Sequence, residues 1–247
     1  MRSVNLVKGE RFDSWRSVGA PMQAVKVYNL REVDELILLD IAATPENSGP
    51  NVDMVETLAS ECFVPLTVGG GIRDAETVRS LLHAGADKVS INTAAYRDTK
   101  LVSILADRFG SQCVVASIDY RLTPMGPRCA NLCGSELTHL HPVDWALEIE
   151  RRGAGEILLT NIDRDGTLEG YDLLVLREVC AAVSIPVIAS GGAKDFEDMR
   201  LAIQYAGASA VAASALFLFT QATPLEAKAH LTAAGVPVRT PYRSTAR

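Results

Sequence analysis

The strongest constraint on this chain is that it repeats itself. Val64–Asp74 reads "VPLTVGGGIRD", and residues 185–195 read "IPVIASGGAKD", the same plan 121 positions later. Glu35–Ile41, "ELILLDI", matches Glu156–Ile162, "EILLTNI", at the same offset. After a one-residue insertion, "AGADKVSINTA" at 84 matches "AGASAVAASAL" at 206. Three consecutive units, each an apolar run followed by a helix-period stretch, are therefore duplicated in order. A period of about 120 residues holds four βα units of ~30 residues, and two such halves hold eight. The expectation is an α/β fold, a (βα)8 TIM barrel built from two half-barrel repeats. An open dinucleotide-binding sheet fits less well, because no G-x-G-x-x-G follows the first strand.

The strand candidates are Leu36–Ile41, Leu66–Val68, Lys88–Ile91, Val114–Asp119, Ile157–Ile162, Val187–Ala189 and Ala210–Ala213. They are apolar almost throughout, as parallel strands covered on both faces should be. Helical patterns occupy Met22–Asn29, Val52–Glu61, Ala75–His83, Lys100–Phe109, Val143–Arg152, Leu173–Val183, Asp195–Tyr205 and Pro224–Ala234. Arg121–Leu140 breaks the rhythm and reads as an insertion after a strand, in the manner of a hairpin. No linker divides the chain, so residues 1–247 form a single barrel domain. The repeat also marks a gap. The partner of Val114–Asp119 falls before Met1, so the first barrel strand is missing or incomplete. Either Met1–Val7 improvises an edge, or the start site truncates a longer protein whose full form is the more stable and active one.

Composition narrows the function. The net charge of −6 argues against nucleic acid as the main partner, since backbone phosphates call for a basic surface. The opening residues, "MRSVNLVKGERF", lack the apolar core of a signal peptide, and no apolar run approaches the ~20 residues of a membrane span. Five scattered cysteines fit reduced cytoplasmic thiols better than a disulfide framework.

In such barrels chemistry gathers at the C-terminal ends of the strands. Gly69–Gly71 and Gly191–Gly192 lie at such ends, and the next strand end in each half is small and polar: Asn92–Thr93 and Ser214. Glycines can serve only to permit tight turns. They can also bare backbone N–H groups for a phosphate, helped by the start of a short helix. Two copies, each followed by a polar strand end, favour two phosphate cradles facing one another, and hence an elongated substrate with a phosphate at each end. Asp119, at the end of "VVASID", suits general acid/base work if partly buried, or else caps the following loop. In "NIDRDGT", Asp165 is a second acid/base candidate, with Gly166 and Thr167 completing a turn that could also be a plain D-G turn. Glu35, Lys88 and Glu156 open alternate strands, so they can point inward as one charged layer. Spacing favours a plug over a gate there. Cys129, Cys133, His139 and His141 lack the usual zinc spacing, and no metal is expected. His83, near a helix C-terminus, suits a dipole or surface role.

Taken together, "TVGGGIRD", "ADKVSINTAA", "FGSQ", "VVASID", "RRGAGEILLTNIDRDGT" with "GYD", and "IPVIASGGA" resemble the cyclase subunit of imidazole glycerol phosphate synthase, from about Leu6 to the C-terminus. The resemblance implies an enzyme of histidine biosynthesis without a cofactor. Its glutaminase partner docks at the bottom of the barrel and ammonia passes through to the mouth. There it reacts with a bisphosphorylated ribulosyl aminoimidazole-carboxamide ribotide, giving imidazole glycerol phosphate and a carboxamide ribotide. By this resemblance Gly71, Asn92 and Thr93 match one phosphate site; Asp165, Gly166, Gly192, Ala213 and Ser214 match the other. Asp119 matches one of two catalytic aspartates, and Lys8 the loop lysine that reaches over the substrate. Glu35, Lys88 and Glu156 match three of four gate residues, which turns the plug into a gate. The second aspartate and the fourth gate residue fall before Met1, and the usual Gly-Asp-Pro is Gly19-Ala20-Pro21. The stretch "VYNLREVDELILLDI" also resembles a paralogous branch that uses ammonia from its own glutaminase to amidinate surface-polysaccharide sugars. A weakened barrel that only binds phosphate or a partner is the non-enzymatic alternative.

Overall fold

A computed structural model describes residues 5–239. The chain opens with a hairpin, β1 (Leu6–Glu10) and β2 (Asp13–Gly19), then alternates: α1 (Pro21–Leu30), β3 (Leu36–Leu39), α2 (Val52–Ala59), β4 (Leu66–Gly69), α3 (Ala75–His83), β5 (Lys88–Ile91), α4 (Thr93–Arg97) and α5 (Lys100–Phe109). There follow β6 (Val114–Thr123), β7 (Gly126–Asn131), β8 (Glu136–Leu137), α6 (Pro142–Arg151), β9 (Glu156–Asn161), α7 (Leu173–Ala182), β10 (Val187–Ser190), α8 (Phe196–Gln204), β11 (Ala210–Val211), α9 (Ala215–Phe219) and α10 (Pro224–Ala233). Helix starts are set by side chains that accept orphan backbone N–H groups. Asp74 accepts from Thr77 ahead of α3, and Asp195, its repeat counterpart, from Asp198 ahead of α8. The duplication thus reaches down to the caps.

The parallel strands run in the order β11-β10-β9-β6-β5-β4-β3. The sheet curls until distant strands meet. Lys88 of β5 bonds both Glu35, just before β3, and Glu156 of β9. Inside the curl, Val115, Leu158 and Ile188 pack with Ile37, Leu39 and Ala212 as a small core separate from the large one between sheet and helices. Among the described residues no strand bridges β11 and β3. Every residue of β3 lines the central cavity, as do Ala210 and Val211 of β11. Successive strand residues point to opposite faces, so this lining marks both strands as edges of an open seam. The seam is spanned by side chains instead. The Lys228 ammonium of α10 donates to the Glu32 carbonyl at 2.5 Å and to Asp34 Oδ1 at 2.7 Å.

Two expectations are corrected. Leu6 and Val7 do not improvise a barrel edge: they belong to β1, which pairs antiparallel with β2 in a sheet of its own. Met1–Val4 lie outside the described residues. Asp119 does not end its strand either. β6 continues to Thr123, leaves the barrel wall and pairs with β7, because Arg121–Leu140 folds back as an antiparallel extension.

Candidate active site at the barrel mouth

One cavity of about 1180 Å³ collects the residues singled out above. Lys8, Gly71, Asn92, Thr93, Asp119, Asp165, Gly166, Gly192, Ala213 and Ser214 line it at the mouth, and Glu35 and Glu156 line it at the floor. Thr167 stands apart. Its hydroxyl donates to the Arg164 carbonyl at 2.8 Å and closes the turn rather than facing the cavity. Lys88 reaches the floor through its two carboxylate partners.

The glycine pairs have a structural duty. Gly70 (φ +104) packs where a Cβ would collide with the Asp40 backbone, and Gly191 (φ +84) where one would collide with the Asn161 backbone. Asp40 and Asn161 are themselves repeat counterparts. In each half the glycine lets the strand end close against its neighbour. Gly192 likewise faces the Gly170 carbonyl, so a side chain there would disturb loop packing before it reached the cavity.

Asp119 is 8% exposed, and its carboxylate is held rather than capping a loop. Asn92 Nδ2 donates to Oδ2 at 3.0 Å, and Ser117 Oγ donates to Oδ1 at 3.2 Å. Burial is the main cause that pushes its carboxyl up to about 7; the Ser117 and Thr160 hydroxyls pull it down, and the Asp165 charge adds to the rise. An acid poised near neutrality can give or take a proton at working pH. Thr93 is placed by the insertion, whose Leu132 N–H donates to its Oγ1 at 3.0 Å.

A lid covers this arrangement. The Lys8 ammonium of β1 meets Asp165 Oδ2 at 2.6 Å, with both side chains largely buried. The backbone N–H of Arg11 donates to the Asp165 carbonyl at 2.8 Å. Arg121 Nη1 donates to Asp163 Oδ1 at 2.8 Å and Nη2 to the Arg11 carbonyl at 3.3 Å. Ser117, Thr160, Arg121 and Asp163 were not singled out in the sequence. A signal for the first two exists: they are polar residues at inward positions of otherwise apolar strands. Arg121 and Asp163 carry no such mark.

At the floor, Lys88 Nζ lies 3.0 Å from Glu35 Oε2 and 2.9 Å from Glu156 Oε2. Burial alone would lower the Lys88 ammonium, but the hydrogen bonds and charges of Glu156 and Glu35 outweigh it and raise it above its ordinary value. The thiols of the insertion diverge. Cys129 is fully buried, while Cys133 Sγ faces the Ile41 carbonyl at 3.7 Å. His83 sits in the last turn of α3.

The family model for "Histidine biosynthesis protein" matches residues 1–222. A curated relative from Hyphomonas neptunium (strain ATCC 15444), imidazole glycerol phosphate synthase subunit HisF, is 47% identical over 234 residues, covering 95% of this chain and 93% of the relative. With its curled parallel sheet and its duplicated halves, the chain belongs to the histidine biosynthesis protein family.

Proposed function

We propose that the chain is the cyclase subunit of imidazole glycerol phosphate synthase, and so an enzyme of histidine biosynthesis. The observation that carries this reading is the near full-length identity to the HisF subunit, with Asp119 buried and poised at the mouth of the shared cavity. The same identity does not favour the sugar-amidinating branch or a merely binding barrel. Ammonia and a bisphosphorylated ribulosyl aminoimidazole-carboxamide ribotide are the substrates. The products are imidazole glycerol phosphate and a carboxamide ribotide. The two phosphates rest in the equivalent cradles, one at Gly71, Asn92 and Thr93, the other at Gly166, Gly192, Ala213 and Ser214. What supports this is that both line one cavity from opposite repeats. Asp119 moves the protons, and no cofactor takes part.

The partner is a glutaminase seated on the floor, in a heterodimer. Two observations support that face. The cavity runs from the mouth to Glu35 and Glu156, so ammonia entering at the floor has a path. Beside the floor, Leu30 and Phe63 are 81% and 79% exposed, and Asn29 ties the end of α1 to the loop before β4 by donating to the Glu61 carbonyl at 2.6 Å. Apolar side chains left in water next to a charged ring suit a partner surface. Among the described residues no helix is long and apolar enough to cross a membrane; we place the enzyme in the cytoplasm.

The test is turnover of the bisphosphorylated ribotide with ammonium salts and, separately, with glutamine plus the glutaminase. Products in equal amounts under both conditions support the reading. A folded protein that makes neither product overturns it. Lys88→Met should leave ammonium-dependent turnover within about threefold while changing glutamine-dependent turnover by tenfold or more, because only the second route passes the floor.

A further inference from the structure

Resting on that reading, we infer that Tyr171, in the "GYD" stretch, is the positioning residue of the second phosphate cradle, the one that ties its walls together. Those walls come from different parts of the chain: the turn at Gly166 after β9, the glycines after β10, and Ala213–Ser214 after β11. Tyr171 is buried and bonds to each of them. Its carbonyl accepts from Arg164 Nη1 at 2.8 Å, and the same nitrogen donates to the Gly170 carbonyl at 3.0 Å, which closes the loop that carries Gly166. Its backbone N–H donates to both carboxylate oxygens of Asp198, one of which also accepts the N–H of Lys194 just past Gly192. Its hydroxyl donates to the Ala212 carbonyl at 3.0 Å, next to Ala213. Burial pushes the phenol well above its ordinary range, with the Asp198 charge adding to the rise, so the hydroxyl stays protonated and remains a donor.

Among the described residues the first half has no such brace. At the repeat offset Gly49 matches Gly170, and Asn51 matches Asp172; Asn51 caps α2 through the Met54 N–H as Asp172 caps α7 through the Val175 N–H. Between them Pro50 stands where Tyr171 does, and proline has neither a backbone N–H nor a hydroxyl to give. In that half Thr93 is fixed instead by the Leu132 N–H of the insertion. The two cradles thus share their glycines and differ in what holds them. A phosphate is bound by several N–H and O–H donors at once, so its affinity depends on how well they are held in place before it arrives. The phosphate does not react. Loosening its donors should therefore weaken the ground state and the transition state alike.

The test uses the full chain with ammonium salts, and inorganic phosphate as a second probe. Tyr171→Phe keeps the ring and removes only the bond to Ala212. KM for the bisphosphorylated ribotide should rise about tenfold with kcat within about threefold, the reach of one hydrogen bond acting on binding alone. Phosphate titrations should show one site weakened about tenfold and the other changed by less than about twofold. Combined with Thr93→Val in the other cradle, the KM losses should multiply; combined with Ser214→Ala they should not, because Tyr171 acts through that wall. A KM within about twofold of the parent, a fall in kcat at unchanged KM, or losses that multiply with Ser214→Ala would overturn the assignment. Should Tyr171→Phe not fold, Asp198→Asn loosens the same brace from its other side and should raise KM about threefold or more; an unchanged KM there overturns the assignment as well. A parent chain that binds phosphate without turnover would instead sink the reading of the reaction, and the phosphate titration of Tyr171→Phe would still decide the brace.

Discussion

Asp119 shows how a single residue ties stability to chemistry. Its folded-state carboxyl titrates near 7 against an ordinary 3.8. Between these values the folded chain binds more protons than the unfolded chain, so stability falls as pH rises through that window, and the full penalty stands above about 7. At ~1.4 kcal/mol per unit, the penalty is on the order of 4 kcal/mol. Asp119→Asn should therefore melt higher than the parent at pH 8 and nearly together with it at pH 4, while losing ~10²–10⁴-fold in ammonia-dependent kcat. An equal gap in melting temperature at both pH values would show that burial does not load this carboxyl. Its position was legible from one fact, a charged residue ending an apolar inward run. Its partners were not: Asn92 follows β5 and Thr160 lies on β9, and only the pairing of these strands with β6 brings them to it.

At the scale of elements, the barrel strands and helices were legible because both halves carry the pattern, and even their caps are duplicated. The opening hairpin was not. Its two-residue turn, Arg11–Phe12, has φ of +54 and +61, a conformation that sequence leads one to expect of Asn-Gly. Nothing in "KGERFD" announces it. The turn is held by tertiary bonds: Arg11 to the Asp165 and Asp163 carbonyls, and Arg121 to both Asp163 and the Arg11 carbonyl. The prediction is that Arg121→Ala frees the hairpin without unfolding the barrel. Trypsin should then cut at Arg11 about tenfold faster while the melting temperature moves by less than ~3 °C, a change within the reach of one surface contact. Equal cleavage rates would show that the hairpin holds itself down.

At the scale of the whole molecule, the internal repeat anticipated the feature that most distinguishes this structure. Among the described residues β6 has no counterpart in the first half, and the described barrel wall is open between β11 and β3 at that place. Open strand edges expose unpaired backbone groups, and Lys228 only ties the two sides together at the floor end. We expect that appending, upstream of Met1, an extended segment with the alternation of β6 raises the melting temperature by about 5 °C or more, as one further buried strand should. No change would mean that the seam gains nothing from a strand. The measurement that bears most directly on the account is the ammonia-dependent conversion of the bisphosphorylated ribotide by the chain and by Asp119→Asn, with both products quantified. The account predicts imidazole glycerol phosphate and carboxamide ribotide in a one-to-one ratio, falling at least ~10²-fold in the variant. Equal turnover by the two proteins, or no product from a well-folded chain, would contradict it.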